Sequence, residues 1–343
     1  MAKKQNETTD YSALLKELKR DGAGRLYMLW GEEDYLRESF FEELKKLCLE
    51  EGLAEFNHRR FDGAADIRLL AQALDSTPFM GGRTLTELRN FPVNDFKDSD
   101  SERLREMFSD LPDWATVVML LPETYEPDGR RALVKAIKKQ GQAIEFTTQP
   151  IRAVAGWLRR RFAALGLEIS PEDCEKLIFI AGDRMTGLVQ EVEKLAAFAE
   201  NGRVTASDID ALAAHIPEAQ AFELTDRLSK RRYDEAAAIL AELLASGEHP
   251  IKTLAIIGFQ MRRLYAARLA LDFSLGRDFL IGMYKTSPYA ADRLLDSARG
   301  FTRAQLAKAV SLCAESDYEM KSSGADDRDI LVELLLNLAG KTN

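Results

Sequence analysis

The stretch RLYMLWGEEDYLRESFFEELKKL, Arg25 to Leu47, sets an apolar run, a glycine and a helical pattern in series. Many α/β proteins hold a nucleotide phosphate at such a place. The chemistry needs definite residues. Glycines permit φ > 0 and close backbone approach, successive N–H groups then face the phosphates, a lysine neutralises charge and a hydroxyl holds magnesium. Counted from Gly31, the second glycine position is Leu36, the lysine position is Arg37 and the hydroxyl position is Glu38. Ser39 supplies a hydroxyl one position late. The turn itself carries Glu32, Glu33 and Asp34. Each close pair of like charges costs about 1 kcal/mol or more, and a triphosphate would meet several at once. A magnesium-binding strand should end in an aspartate after its apolar run, but VVMLLPE puts Pro122 there, followed by Glu123. Two motifs fail together, which predicts no ATP hydrolysis. The residues alone leave two origins open: a phosphate loop that lost its chemistry, or the strand ends of an α/β fold that never bound nucleotide.

Other chemistry is as poorly supplied. Cys48, Cys174 and Cys313 are far apart without CxxC spacing, so neither a disulfide framework nor a zinc site is expected, and a reducing compartment fits. His58, His215 and His249 form no metal-ligand pattern. Glu191 and Glu193 sit in a helical stripe with Met185, Leu188, Val189, Val192 and Leu195, and no base or nucleophile accompanies them. No nucleophile triad is identifiable. The expectation is no catalytic residue, no cofactor and no metal.

The elements that would position such groups fall into two kinds. Up to Pro150, strands alternate with helices: 25–30, 55–61, 83–90, 115–121 and 143–148 read as strands, with helical patterns between them. The first of those helices is expected to end at Gly52, and RTLTELRN alternates like a strand. Strands separated by crossovers imply a largely parallel sheet. After Pro150 no convincing strand is seen. Gly166 stops one helix, Ser170 caps the next with Pro171 at its first position, and Thr205 or Ser207 caps a third. The division expected is an α/β domain at 1–150, a small helical domain at 151–215 and a larger helical domain at 216–343.

The formal net charge of −9 argues against a protein that grips nucleic acid alone, though not against one that meets DNA inside an assembly. The polar start MAKKQNETTD lacks the apolar core of a signal peptide, and no apolar run is long enough for a bilayer, so a soluble cytoplasmic protein without membrane contact is expected. Three basic clusters, LRRRF (158–162), KRRY (230–233) and QMRRLYAARLAL (260–271), read as solvated faces of helices. Arg159, Arg160 and Arg161 could instead meet DNA phosphate or a partner.

LDSTPFMGGRTL, residues 74–85, is the other unusual stretch. A helix ends, and Pro78, Phe79 and Met80 precede Gly81 and Gly82. Large apolar residues at a loop tip either fold back to the core or await a partner. In a partner pocket each of Phe79 and Met80 would contribute about 1.5–3 kcal/mol.

Taken in order, YMLWGEEDYLRESFFEEL, STPFMGGRTLTELRN, GDRMTGLVQEVEKLAAFA, the run from FELTDRLSKRRYDEAAAIL to GFQMRRL, and KSSGADDRDILVELLLNL resemble the delta subunit of the bacterial DNA polymerase III clamp loader. Each motif alone is weak; their order and spacing, from about Arg25 to Leu338, are fairly specific. The resemblance implies an AAA+ architecture of α/β domain, helical lid and helical collar, without ATP hydrolysis. It implies binding and opening of the beta sliding clamp, loaded onto primed DNA, in a complex with the tau/gamma ATPase subunits and delta-prime. The wedge that such a subunit pushes into the clamp falls on Pro78 and Phe79, with Met80 adjacent. Proline is rigid, so the resemblance places more weight on Phe79. The lack of a zinc-type cysteine cluster separates the chain from the ATPase subunits and delta-prime. The competing readings are an AAA+ ATPase with a degenerate but active site and a helical adaptor unrelated to replication.

Overall fold

The computed structural model describes residues 11–340. The decapeptide on which the signal-peptide reading rests lies outside the described residues. The chain forms two compact units, one ending at Gln149 and one beginning at Pro150, with Arg184–Thr186 grouped with the first.

The first unit runs α1 (Tyr11–Asp21), β1 (Leu26–Trp30), α2 (Asp34–Cys48), the single-turn α3 (Ala54–Asn57), β2 (His58–Asp62), α4 (Ile67–Asp75), β3 (Thr84–Arg89), α5 (Asp98–Ser109), β4 (Ala115–Leu120), α6 (Ala132–Gln140) and β5 (Gln142–Glu145). The strands form one sheet in the order β2-β3-β4-β1-β5, and every pair is parallel. Helical crossovers cover both faces of such a sheet, so β1 and β4 are buried along their whole length. On one face Met28, Trp30 and Met119 pack with Leu70 and Leu74 of α4, Leu104 of α5 and Val134 of α6. On the other, Tyr27 meets Phe40 of α2 edge-on at 6.3 Å between centroids, and Phe40 meets Phe146 at 5.8 Å.

One local expectation is corrected here. Helix α2 ends at Cys48 rather than Gly52. Its buried stripe, Phe40, Phe41, Leu44 and Cys48, stops there, and Glu50-Glu51 offer nothing apolar to anchor another turn. In strand β3, Thr84 to Leu88 are all buried, because both faces of the sheet are covered. The charge this puts in the core, Glu87, is compensated. Glu87 Oε2 lies 2.8 Å from His58 Nε2, and Arg89 donates to its other oxygen. Arg89 then spans to Glu38 of α2 by two bonds of 2.7 and 2.8 Å.

The second unit comprises α7 (Ile151–Ala164), β6 (Glu168–Ile169), α8 (Pro171–Ala181), α9 (Met185–Phe198), β7 (Arg203–Val204), α10 (Ala206–Leu212), α11 (Pro217–Ser229), α12 (Tyr233–Ala245), α13 (Pro250–Asp272), α14 (Gly276–Tyr284), α15 (Pro288–Arg299), α16 (Arg303–Ser322) and α17 (Asp327–Ala339). Ser170 caps α8 with Pro171 at its first position. Thr205, not Ser207, caps α10, in a reciprocal capping box with Asp208. The expectation of no strand beyond Pro150 is corrected by β6 and β7, which pair in parallel. Two residues each are too few to carry a period; burial of Ile169 and Val204 holds them. The basic residues of KRRY are not helical either. Lys230, Arg231 and Arg232 form the turn between α11 and α12, with Arg231 at φ 60°, and Tyr233 opens α12. One hydrophobic cluster joins α11 through α17. Among the described residues no helix is long and apolar enough to cross a membrane.

Candidate functional site

Two places in the first unit bear on function: the turn after β1 and the tip between α4 and β3. The turn is closed on itself. Gly31 has φ 120°, and a Cβ there would lie 2.3 Å from the Phe146 carbonyl oxygen. Phe146 N–H donates to Trp30 O at 2.7 Å, and Glu33 N–H donates to Phe146 O at 3.0 Å. The segment after β5 therefore takes up a backbone donor that a phosphate-cradling turn would present to its ligand. Glu33 is buried, and Thr148 Oγ1 donates to Glu32 at 2.9 Å. Arg37, at the lysine position, is buried and donates to Gly31 O at 3.4 Å and to the Asp34 carboxylate. Glu38, at the hydroxyl position, is committed to Arg89. Pro122 follows β4 with Leu121 between them, and Glu123 is exposed. The turn is built as a packed strand–helix junction.

The tip is the opposite case. Phe79 is 50% and Met80 79% exposed, while Pro78 is half-buried. Of the two fates open to large apolar side chains here, the structure shows the exposed one for Phe79 and Met80. The backbone conformation is specific. Met80, Gly81 and Gly82 run at φ 59°, 94° and 78°, a left-handed succession that glycine tolerates and methionine adopts at a cost of roughly 1 kcal/mol. Phe79 stacks on Phe56 of α3, with centroids 4.9 Å apart and planes tilted by 32°. Phe56 is itself exposed. Beneath them Asn57 is buried and holds the backbone of Phe79 at both ends: Phe79 N–H donates to Asn57 Oδ1 at 2.7 Å, and Asn57 Nδ2 donates to Phe79 O at 3.2 Å. Neither Phe56 nor Asn57 was expected from the sequence, where EFNHRRF reads only as strand.

The remaining candidates are structural. Glu191 pairs with Lys194 at 2.8 Å and accepts from Ala214 N–H at 3.3 Å. Among the described residues no group of His, Cys, Asp and Glu could hold a metal ion. All three cysteines are free and buried, and burial pushes the thiols of Cys174 and Cys313 up to about 12 and about 11, which keeps them unreactive.

Parallel sheet, sealed turn and apolar tip define a class first: an AAA+-like α/β body whose strand–turn–helix serves packing, with a mainly helical second unit. Residues 27–147 match the family described as DNA polymerase III, delta subunit, and residues 218–338 match the C-terminal domain of the DNA polymerase III delta subunit. The chain belongs to the DNA polymerase III delta-subunit family. It is 28% identical over 330 residues to DNA polymerase III subunit delta of Bacillus subtilis, covering 94% of each chain. It is 22% identical over 256 residues, 71% of each chain, to the probable DNA polymerase III subunit delta of Aquifex aeolicus. The solved Bacillus subtilis DNA clamp loader delta protein superposes with a TM-score of 0.51 at 25% identity, over 96% of this chain and 99% of that one.

Proposed function

We propose that this chain is the non-ATPase delta subunit of a bacterial replicative clamp loader, a cytoplasmic protein that binds and opens the beta sliding clamp for loading onto primed DNA. Its partners in this reading are the clamp, the tau/gamma ATPase subunits and delta-prime. The second unit divides into a lid at 151–215 and a collar at 216–343 that assembles with those neighbours.

The observation that carries the reading is the exposed, backbone-anchored apolar tip at Phe79 and Met80, on a body whose phosphate turn is sealed. A chain without hydrolysis does mechanical work through differential affinity: a wedge that fits the distorted ring better than the closed one shifts the ring toward opening. Pro78 stiffens the approach to the tip, Phe79 is the main anchor and Met80 adds adaptable area.

The test is the affinity of the full chain for the purified clamp of the same organism. Phe79→Ala is expected to weaken binding by about 2 kcal/mol or more with unchanged thermal unfolding. Unchanged affinity in that variant would remove the tip from the interface.

A further inference from the structure

We propose that the docking surface is a two-ring platform, Phe56 with Phe79, and that Asn57 is the positioning residue that sets its pitch. The inference rests on the clamp-binding reading of the tip and extends it to a segment that the sequence motif does not include.

Phe56 and Phe79 come from different segments, α3 and the loop after α4, and they meet as a tilted stack at 4.9 Å. Each ring is about half exposed, 51% for Phe56 and 50% for Phe79. Two aromatic side chains left half in water on one stack present a wider apolar face than a single wedge. Its fitting occupant is a pocket on the clamp that admits both rings together.

Asn57 explains why the stack holds its shape. Its carbonyl oxygen accepts the Phe79 N–H at 2.7 Å, and its NH2 donates to the Phe79 carbonyl at 3.2 Å. The Phe79 N–H can only donate, so it must face the amide oxygen, and the amide orientation follows. Asn57 is buried and adjacent in sequence to Phe56, so one short segment carries both the second ring and the anchor of the first. The anchor also opposes relaxation of the left-handed run at Met80, Gly81 and Gly82. A surface fixed before contact loses less conformational freedom on binding.

The experiment measures affinity for the purified clamp with the full chain carrying Phe79→Ala, Phe56→Ala, Asn57→Ala, Asn57→Asp, or either Asn57 substitution with Phe79→Ala. Thermal unfolding is recorded for each. Phe79→Ala is expected to lose about 30-fold and Phe56→Ala about tenfold. Asn57→Ala is expected to lose about tenfold when Phe79 is present and no more than about twofold further when Phe79 is already alanine. That coupling is what a positioning role requires, and a general loss of fold would not produce it. Asn57→Asp keeps an acceptor for Phe79 N–H but turns a carboxylate oxygen toward the Phe79 carbonyl, so it too should weaken binding when Phe79 is present and add no more than about twofold when combined with Phe79→Ala; this pair decides the matter if the alanine variant fails to fold. Full affinity in Phe56→Ala, or independent losses from Asn57→Ala and Phe79→Ala, would overturn this inference while leaving the Phe79 site in place. Full affinity in Phe79→Ala would instead overturn the site itself.

Discussion

Arg37 turns back onto Gly31: its Nη1 donates to the Gly31 carbonyl oxygen at 3.4 Å, and a second nitrogen binds the Asp34 carboxylate. The cation standing where a phosphate loop has its lysine is thus buried and engaged by its own turn. Titration of MgATP into the isolated chain is expected to give no saturable binding below about 1 mM. Micromolar affinity would revive the reading of an AAA+ ATPase with a degenerate site.

The same junction predicts a stability effect without any ligand. A Cβ at Gly31 would meet the Phe146 carbonyl oxygen at 2.3 Å, and φ 120° is unfavourable for an L side chain. Gly31→Ala is expected to destabilise the first unit by about 2–4 kcal/mol, read as a lowered urea midpoint. Gly81→Ala, where no atom lies within 4 Å of a new Cβ, carries only the conformational cost of about 1 kcal/mol. Equal effects at the two sites would refute the packing account of the turn.

How far the sequence reached depends on the range of the forces involved. β1 and β4 were legible because unbroken apolar runs between helical patterns fit buried parallel strands, and the Ser170-Pro171 start was legible because capping is local. The tip was legible as a pair of apolar residues before two glycines, but its state was not, since exposure depends on the α3 segment beneath it. Asn57 and Phe56 left no periodic signal, for their contacts are across the chain. The burial of Glu87 was not legible for a related reason: only His58 and Arg89, brought to it by the folded sheet, make it tolerable.

In the second unit, Asp226 of α11 is buried; its carboxylate accepts two hydrogen bonds and lies 4.0 Å from an Arg293 nitrogen. Ser297 of α15 donates to one oxygen at 2.6 Å and Lys230 to the other at 2.7 Å. Asp226→Ala strands the buried Ser297 hydroxyl and is expected to cost about 2–3 kcal/mol, whereas Ser297→Ala leaves Asp226 with Lys230 and is expected to cost about 1 kcal/mol. Urea unfolding of both variants checks the order. A costlier serine variant would contradict it.

Glu87 links stability to pH. Burial pushes its carboxyl upward, but the hydrogen bonds from His58 and Arg89, with the Arg89 charge, outweigh burial and hold it below the ordinary glutamate range. A carboxyl whose folded value lies below its unfolded value, about 4.3, stabilises the fold at any pH above that unfolded value. The contribution is lost as pH falls through the folded value. Glu87→Gln keeps the shape and removes the charge, much as protonation would. It is expected to cost about 2–3 kcal/mol at pH 7, with the gap to wild type narrowing steadily below about pH 4. Urea midpoints of both proteins across that range measure it. A gap that stays constant on acidification would mean that the Glu87 charge does not hold β2 and β3 together.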